Sequence, residues 1–184
     1  MRRRHVLCLA AAGALPIWPP LESAVAQEMA ADDAERKHAR SAMRVGALSL
    51  AASRTAENTT SDALLKQFAK WEIAEQEAVS NVLRSMEPYG GTSDGSGPPA
   101  DAQLETMLDA EGRTALEKLR SLQGPAFDKA YVLLQSDGHK KLLAIHEEYV
   151  RSGRDRERRN VARLTRLLIE EHLEHLEMLR IRLG

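Results

Sequence analysis

One cysteine, Cys8, is all the thiol the chain possesses, and it lies in a stretch that reads as a removable leader. After processing no thiol remains. That excludes a cysteine nucleophile, a thiolate metal site and a disulfide framework. Cys8 lies near the start of the apolar run instead of closing it, and no lipobox surrounds it, so a lipid anchor is excluded as well. No later run approaches the roughly 18 apolar residues that a membrane-crossing helix needs. Charge of one sign is also lacking. The formal net charge is −1 for the whole chain and −3 once the leader, with three arginines and one glutamate, is removed. That balance does not call for nucleic acid or a strongly charged membrane. No segment alternates like a strand. The glycines after Pro88 follow a helix and lack a Gly-Lys-Ser/Thr ending, so they do not make a phosphate loop. Ser49 and Ser53 have no partnered base in view, which leaves a hydrolase triad unsupported.

The leader itself is well marked. Arg2, Arg3 and Arg4 supply a positive start, Val6 to Ile17 an apolar core too short to span a bilayer, and Ala24-Val25-Ala26 a small-x-small cleavage site. Residues 1–26 are thus expected to direct export to the periplasm. Arg3-Arg4-His5-Val6-Leu7 also fits the twin-arginine pattern loosely, so either export route is open. Residues 27–184 are expected to form one domain.

Helical periodicity dominates after Ala31. Helices are predicted over about Asp32 to Glu57, Asp62 to Glu87 with Ser61 as N-cap, Gln123-Gly124-Pro125 to about Arg151, and Asp155 to Arg182. Shorter pieces between Asp101 and Leu122 break near Gly112, and the Pro/Gly/Ser-rich run from Pro88 to Pro99 is a loop. Four long helices with short first and last connections and a long middle one predict an all-α, antiparallel four-helix bundle.

Spacings of three and four residues place polar side chains among the apolar ones. The second helix aligns Leu65, Phe68, Glu72, Glu75, Val79, Val82 and Met86. The last aligns Val161, Thr165, Leu168, His172, His175 and Leu179. The third presents Phe127, Tyr131, Leu134, Gly138, Ile145 and Tyr149, with Asp128, Gln135, His139 and His146 as a stripe beside them. The first offers His38, Val45, Leu48 and Ala52. An unpaired buried carboxylate costs several kcal/mol, so Glu72 and Glu75 need a partner. Two solutions are open. His172 and His175 can protonate and pair with the glutamates, or carboxylates and imidazoles can converge on a transition metal. His139 and His146, about 10 Å apart along the helix, cannot share one ion. The candidate metal ligands are Glu72, Glu75, His139, His172 and His175, a donor set suited to iron, manganese or zinc. Arg151, Arg154, Arg156, Arg158, Arg159, Arg163 and Arg166 face only Asp155 and Glu157. This patch reads first as a charged surface and second as a contact for anionic lipid or another polyanion. Glu170, Glu171, Glu174 and Glu177 read as a solvated flank.

Several segments resemble the bacterial domain-of-unknown-function 4142 family. They are Gly46-Ala47-Leu48-Ser49-Leu50 with Ser53, Phe68-Ala69-Lys70-Trp71-Glu72-Ile73-Ala74-Glu75-Gln76, Gly124-Pro125-Ala126-Phe127-Asp128-Lys129-Ala130-Tyr131 with His139, and Glu170-Glu171-His172-Leu173 with Leu176. The resemblance implies a ferritin-like bundle in an exported protein of a kind labelled outer-membrane or membrane protein, and no established activity. Many relatives carry Asp-His where this chain has Glu75-Gln76, and a first-helix glutamate that it lacks. The expected function is therefore that of an exported binding or envelope-associated factor and not an enzyme of known type. The alternatives are a metal-binding or metal-dependent redox protein, or a module docking through the arginine-rich corner.

Overall fold

A computed structural model of the protein describes residues 21–86 and 98–184, with side chains from residue 33 onward. The first 20 residues of the expected leader, and the expected loop up to Gly97, lie outside the described residues. What is described is all-helical: α1 (Leu21–Thr59), α2 (Ala63–Ser85), α3 (Asp101–Met107), α4 (Ala110–Arg120), α5 (Gly124–Ser152) and α6 (Arg156–Leu183). No strand occurs among the described residues.

Local chemistry sets the boundaries. Asp62, not Ser61, caps α2, its carboxylate accepting from the backbone N–H groups of Leu64 and Leu65. Aspartate satisfies two otherwise orphaned donors there and places negative charge at the helix start. Asp155 does the same for α6 through Arg158 N–H. The break expected near Gly112 lies earlier, at Leu108–Asp109, because Asp109 caps α4 by accepting from Gly112 N–H. Gly124 opens α5 at φ 58, a left-handed conformation suited to glycine, and Pro125 follows in the first turn.

The long helices contact one another in a closed cycle, α1 to α2, α2 to α6, α6 to α5 and α5 to α1, while α3 and α4 cover α1. Paired residues show the directions. As the α1 partner rises through His38, Ser49 and Ser53, its α5 partner falls through His146, Gln135 and Tyr131. α1 therefore has neighbours on most sides and is buried nearly all round from Gly46 to Ser53. That explains its run of alanine, glycine and serine, whose small side chains let the other helices approach.

The buried stripes differ in phase from the expected ones. On α2 burial runs Leu65, Phe68, Glu72, Leu83, whereas Val82 is 41% exposed. Leu65 and Leu83 are eighteen residues apart, five full turns at 3.6 residues each, and a strict seven-residue repeat drifts off that face. On α6 the buried set is Arg158, Ala162, Thr165, Ile169, His172, Leu176 and Leu179, so Leu168 and His175 turn outward by one position. On α5 the core draws on both expected stripes: Phe127, Tyr131 and Tyr149 of the expected core face are buried, as is most of the side stripe. Gln135, His139 and His146 are buried, while Leu134, Gly138 and Ile145 are only half-buried.

Layers alternate along the axis. One apolar cluster contains Leu50, Leu65, Phe68, Tyr131 and Leu176; a second contains Ala42, Leu83, Leu142 and Ile169. A polar layer from α1, α2, α5 and α6 lies between them.

Candidate metal centre

Glu72 comes from the middle of α2, His139 from α5 and His172 from α6. All three are buried, at 0%, 1% and 5% exposure. Their inner atoms form a nearly equilateral triangle. Glu72 Oε2 is 3.0 Å from His172 Nδ1 and 3.2 Å from His139 Nε2, and the two nitrogens are 3.1 Å apart. Glu72 Oε2 nevertheless makes no aligned hydrogen bond. All three atoms lie close enough together to meet one ion.

Outer contacts fix each donor. His139 Nδ1 lies 2.8 Å from the Gln135 carbonyl, which can only accept, so Nδ1 carries the proton and Nε2 faces inward as a lone pair. His172 Nε2 is 3.1 Å from Glu75 Oε2, so Nε2 carries a proton and Nδ1 is the nitrogen that faces Glu72. Gln76 donates to Glu72 Oε1 at 2.9 Å. Ser49 Oγ lies 2.5 Å from both Glu72 Oε1 and Gln135 Oε1, and its single proton serves one of them at a time. The Gln135 amide donates to the Ser49 carbonyl and to Ser53 Oγ, which is 2.9 Å from the Tyr131 hydroxyl. Oε1 of Glu72 is thus saturated and Oε2 is left over.

The electrostatics follow from this packing. Burial would push the Glu72 carboxyl up, but the interaction with His139 and contacts with His172 and Ser49 outweigh it and hold the group well below the usual carboxylate range. Burial would lower His172, but contacts with Glu72 and Glu75, and their charges, raise it to about 9. Phe68 closes the layer from below, its ring 5.2 Å from His172 and 6.4 Å from His139.

Of the five residues singled out in the sequence, Glu72, His139 and His172 meet. They are the one cluster of metal-ligating atoms found among the described residues. Glu75 reaches the far nitrogen of His172 from a half-buried position. His175 lies apart, half-buried, its ring 6.2 Å from Trp71 beside a cavity of about 300 Å³ lined by Leu64, Phe68, Trp71 and Met178. Sequence reasoning passed over Ser49, Gln76 and Gln135. The signals for the serines were their four-residue spacing in a locally apolar stretch of α1 and their place in a segment that resembles the family. The arginine-rich corner is also less of a surface than expected: Arg158 is 3% exposed, 3.4 Å from Glu35, and donates to the Met86 carbonyl.

A second buried imidazole pair lies one apolar layer away. His38 Nε2 is 3.1 Å from His146 Nδ1, and the His38 ring stacks on Tyr149 at 4.0 Å. Burial, then His146 and Arg158, lower His38 to about 3; burial lowers His146 to about 4. Both rings are neutral at physiological pH.

Compared with known proteins, residues 20–179 match the family model described as Domain of unknown function (DUF4142). No curated protein and no solved structure matches the chain.

Proposed function

Because the chain belongs to the DUF4142 family, whose description assigns no activity, we propose its function from its interior: it is a metal-binding protein. In this reading it is an antiparallel four-helix bundle of ferritin-like type holding one divalent transition ion on Glu72, His139 and His172. One observation carries the reading. Three donor atoms stand 3.0–3.2 Å apart around a point, one of them a buried carboxylate oxygen without a hydrogen bond. Bonds of about 2.1 Å meeting near right angles put neighbouring donors roughly 3 Å apart.

Two imidazoles and one carboxylate, with no thiolate, suit iron(II), manganese or zinc and leave coordination positions open. Glu72 and Glu75 together supply two negative charges, which balance a divalent cation in a layer too dry to leave charge unmatched. Glu75 and the Gln135 carbonyl orient the imidazoles, and Ser49 and Gln76 orient the carboxylate. This is the support that metal ligands need to hold their geometry. Export to the periplasm, through the leader at residues 1–26, completes the proposal.

Elemental analysis of protein purified without chelator tests it, with Glu72→Ala and His172→Ala alongside. The expected result is about one equivalent of iron, manganese or zinc in the wild type and loss from both variants, with His38→Ala retaining it. A wild type that neither carries metal nor takes it up on titration would sink the reading. Glu72, Glu75 and His172 would then be an ion network serving the fold.

A further inference from the structure

The outer face of α6 exposes three leucines in one patch, Leu164 at 65%, Leu167 at 56% and Leu168 at 39%. Single exposed leucines are ordinary; three adjoining ones on one helix face are a surface to be covered. Charge around them is uneven. Toward the start of the helix lie Arg156, Arg159 and Arg163, with Glu157 among them; after the leucines come Glu170, Glu171, Glu174 and Glu177, followed by Arg180 and Arg182, while Arg166 stands within the patch. Among the described residues these charges make mainly local contacts, Arg163 with Asn160, Arg166 with Glu170, and Glu177 with Arg180, and Lys140 of α5 also acts on Glu177.

We infer that this face of α6 is an isologous docking surface for a second copy of the chain, the two α6 helices crossing antiparallel about a twofold axis near Leu167. The sequence positions decide the partner. Arg163 and Glu171 sit four residues to either side of Leu167, each about 6 Å along the axis. A twofold axis there lays Arg163 of each copy on Glu171 of the other, while the six leucines close the centre. Parallel pairing of the same helices sets arginine on arginine and glutamate on glutamate, which the charges forbid. An anionic membrane is disfavoured for the same reason, because the glutamate flank meets its headgroups together with the leucines.

Sedimentation of the full chain over a range of concentrations, at low and high salt, tests this. The expected result is a dimer at low salt that weakens as salt rises. Leu167→Glu abolishes it. Arg163→Glu alone raises the dimer dissociation constant by roughly tenfold or more. The double variant Arg163→Glu/Glu171→Arg restores it, because the swap rebuilds both ion pairs. All three positions are exposed, so circular dichroism and metal content should match the wild type, which separates loss of docking from loss of fold. A wild type that stays monomeric at every concentration overturns the inference. So does a dimer that survives Leu167→Glu, or a double variant no better than Arg163→Glu. Monomers that bind anionic vesicles through these leucines overturn it as well and assign the patch to lipid.

Discussion

At the scale of single residues, the neighbours of Glu72 have graded roles. Glu72, His139 and His172 present the donor atoms, whereas Ser49 and Gln76 hold only the other carboxylate oxygen. Ser49→Ala and Gln76→Ala are therefore expected to lower metal affinity by about 10–100-fold and to leave the stoichiometry at saturation unchanged, measured by competition titration. Gly46 belongs to the same support, because a Cβ there would come within 2.5 Å of Gln76 Oε1. The His38–His146 pair makes a separate, acid-side prediction. Both folded-state values lie below the ordinary 6.5, so unfolding takes up protons as the pH falls. The stability contributed by keeping these rings neutral is complete above about 6.5 and is lost on descent toward about 4. For fully buried His146 the slope is roughly 1 kcal/mol per pH unit. Urea unfolding followed from pH 7 to pH 4 should show the midpoint falling. His146→Leu should flatten that fall, and an unchanged slope would remove His146 as its source.

At the scale of helices, the phase of burial is the quantity to test. Leu83 is fully buried and Val82 is 41% exposed, although a seven-residue repeat favours Val82. Leu83→Ala should cost about 2–5 kcal/mol, and Val82→Ala under about 1 kcal/mol, by denaturant unfolding. Equal costs would mean the stripe runs elsewhere. The α5–α6 corner is similarly specific. A Cβ on Gly153 would lie 2.5 Å from Tyr149 Cζ and 2.7 Å from the Tyr149 carbonyl oxygen. The carbonyl cannot swing away as a side-chain tip can, so Gly153→Ala is expected to destabilise by about 1–3 kcal/mol, read as a lower Tm. The short helix α3 is tied down by Arg54, which donates to the Pro99 carbonyl and pairs with Asp101 and Glu77, linking α1, α2 and the start of α3.

At the scale of the whole molecule, the proposed ion site lies in a polar layer between two apolar clusters, so an ion held there would share one equilibrium with the fold. Donors from three helices assemble only in the folded chain, so an ion bound there stabilises that state by mass action, about 2.7 kcal/mol at a hundred times its Kd. Chelation should lower the Tm of the wild type and leave that of Glu72→Ala unmoved. A wild-type Tm indifferent to chelator and to added metal would separate the layer from any cation.

Composition and periodicity determined the all-helical class, the four long helices with shorter pieces between them and the short connections, because each depends on local spacing, caps and glycine or proline breaks; the start of α1 at Leu21, eleven residues before the expected Asp32, did not follow from them. They also brought Glu72, His139 and His172 under suspicion, since a charged or imidazole side chain on a predicted core face demands a partner wherever that partner comes from. Tertiary structure alone decided which residues meet. A one-residue difference in phase moves His175 outward and Leu176 inward on α6, and both choices satisfy the same three-and-four spacing. Only packing against α5 and α2 tells them apart. The same holds for Gln135, Ser49 and Gln76. A polar side chain looks alike in sequence whether it faces water or a buried carboxylate, and the difference lies in atoms up to 86 positions away along the chain.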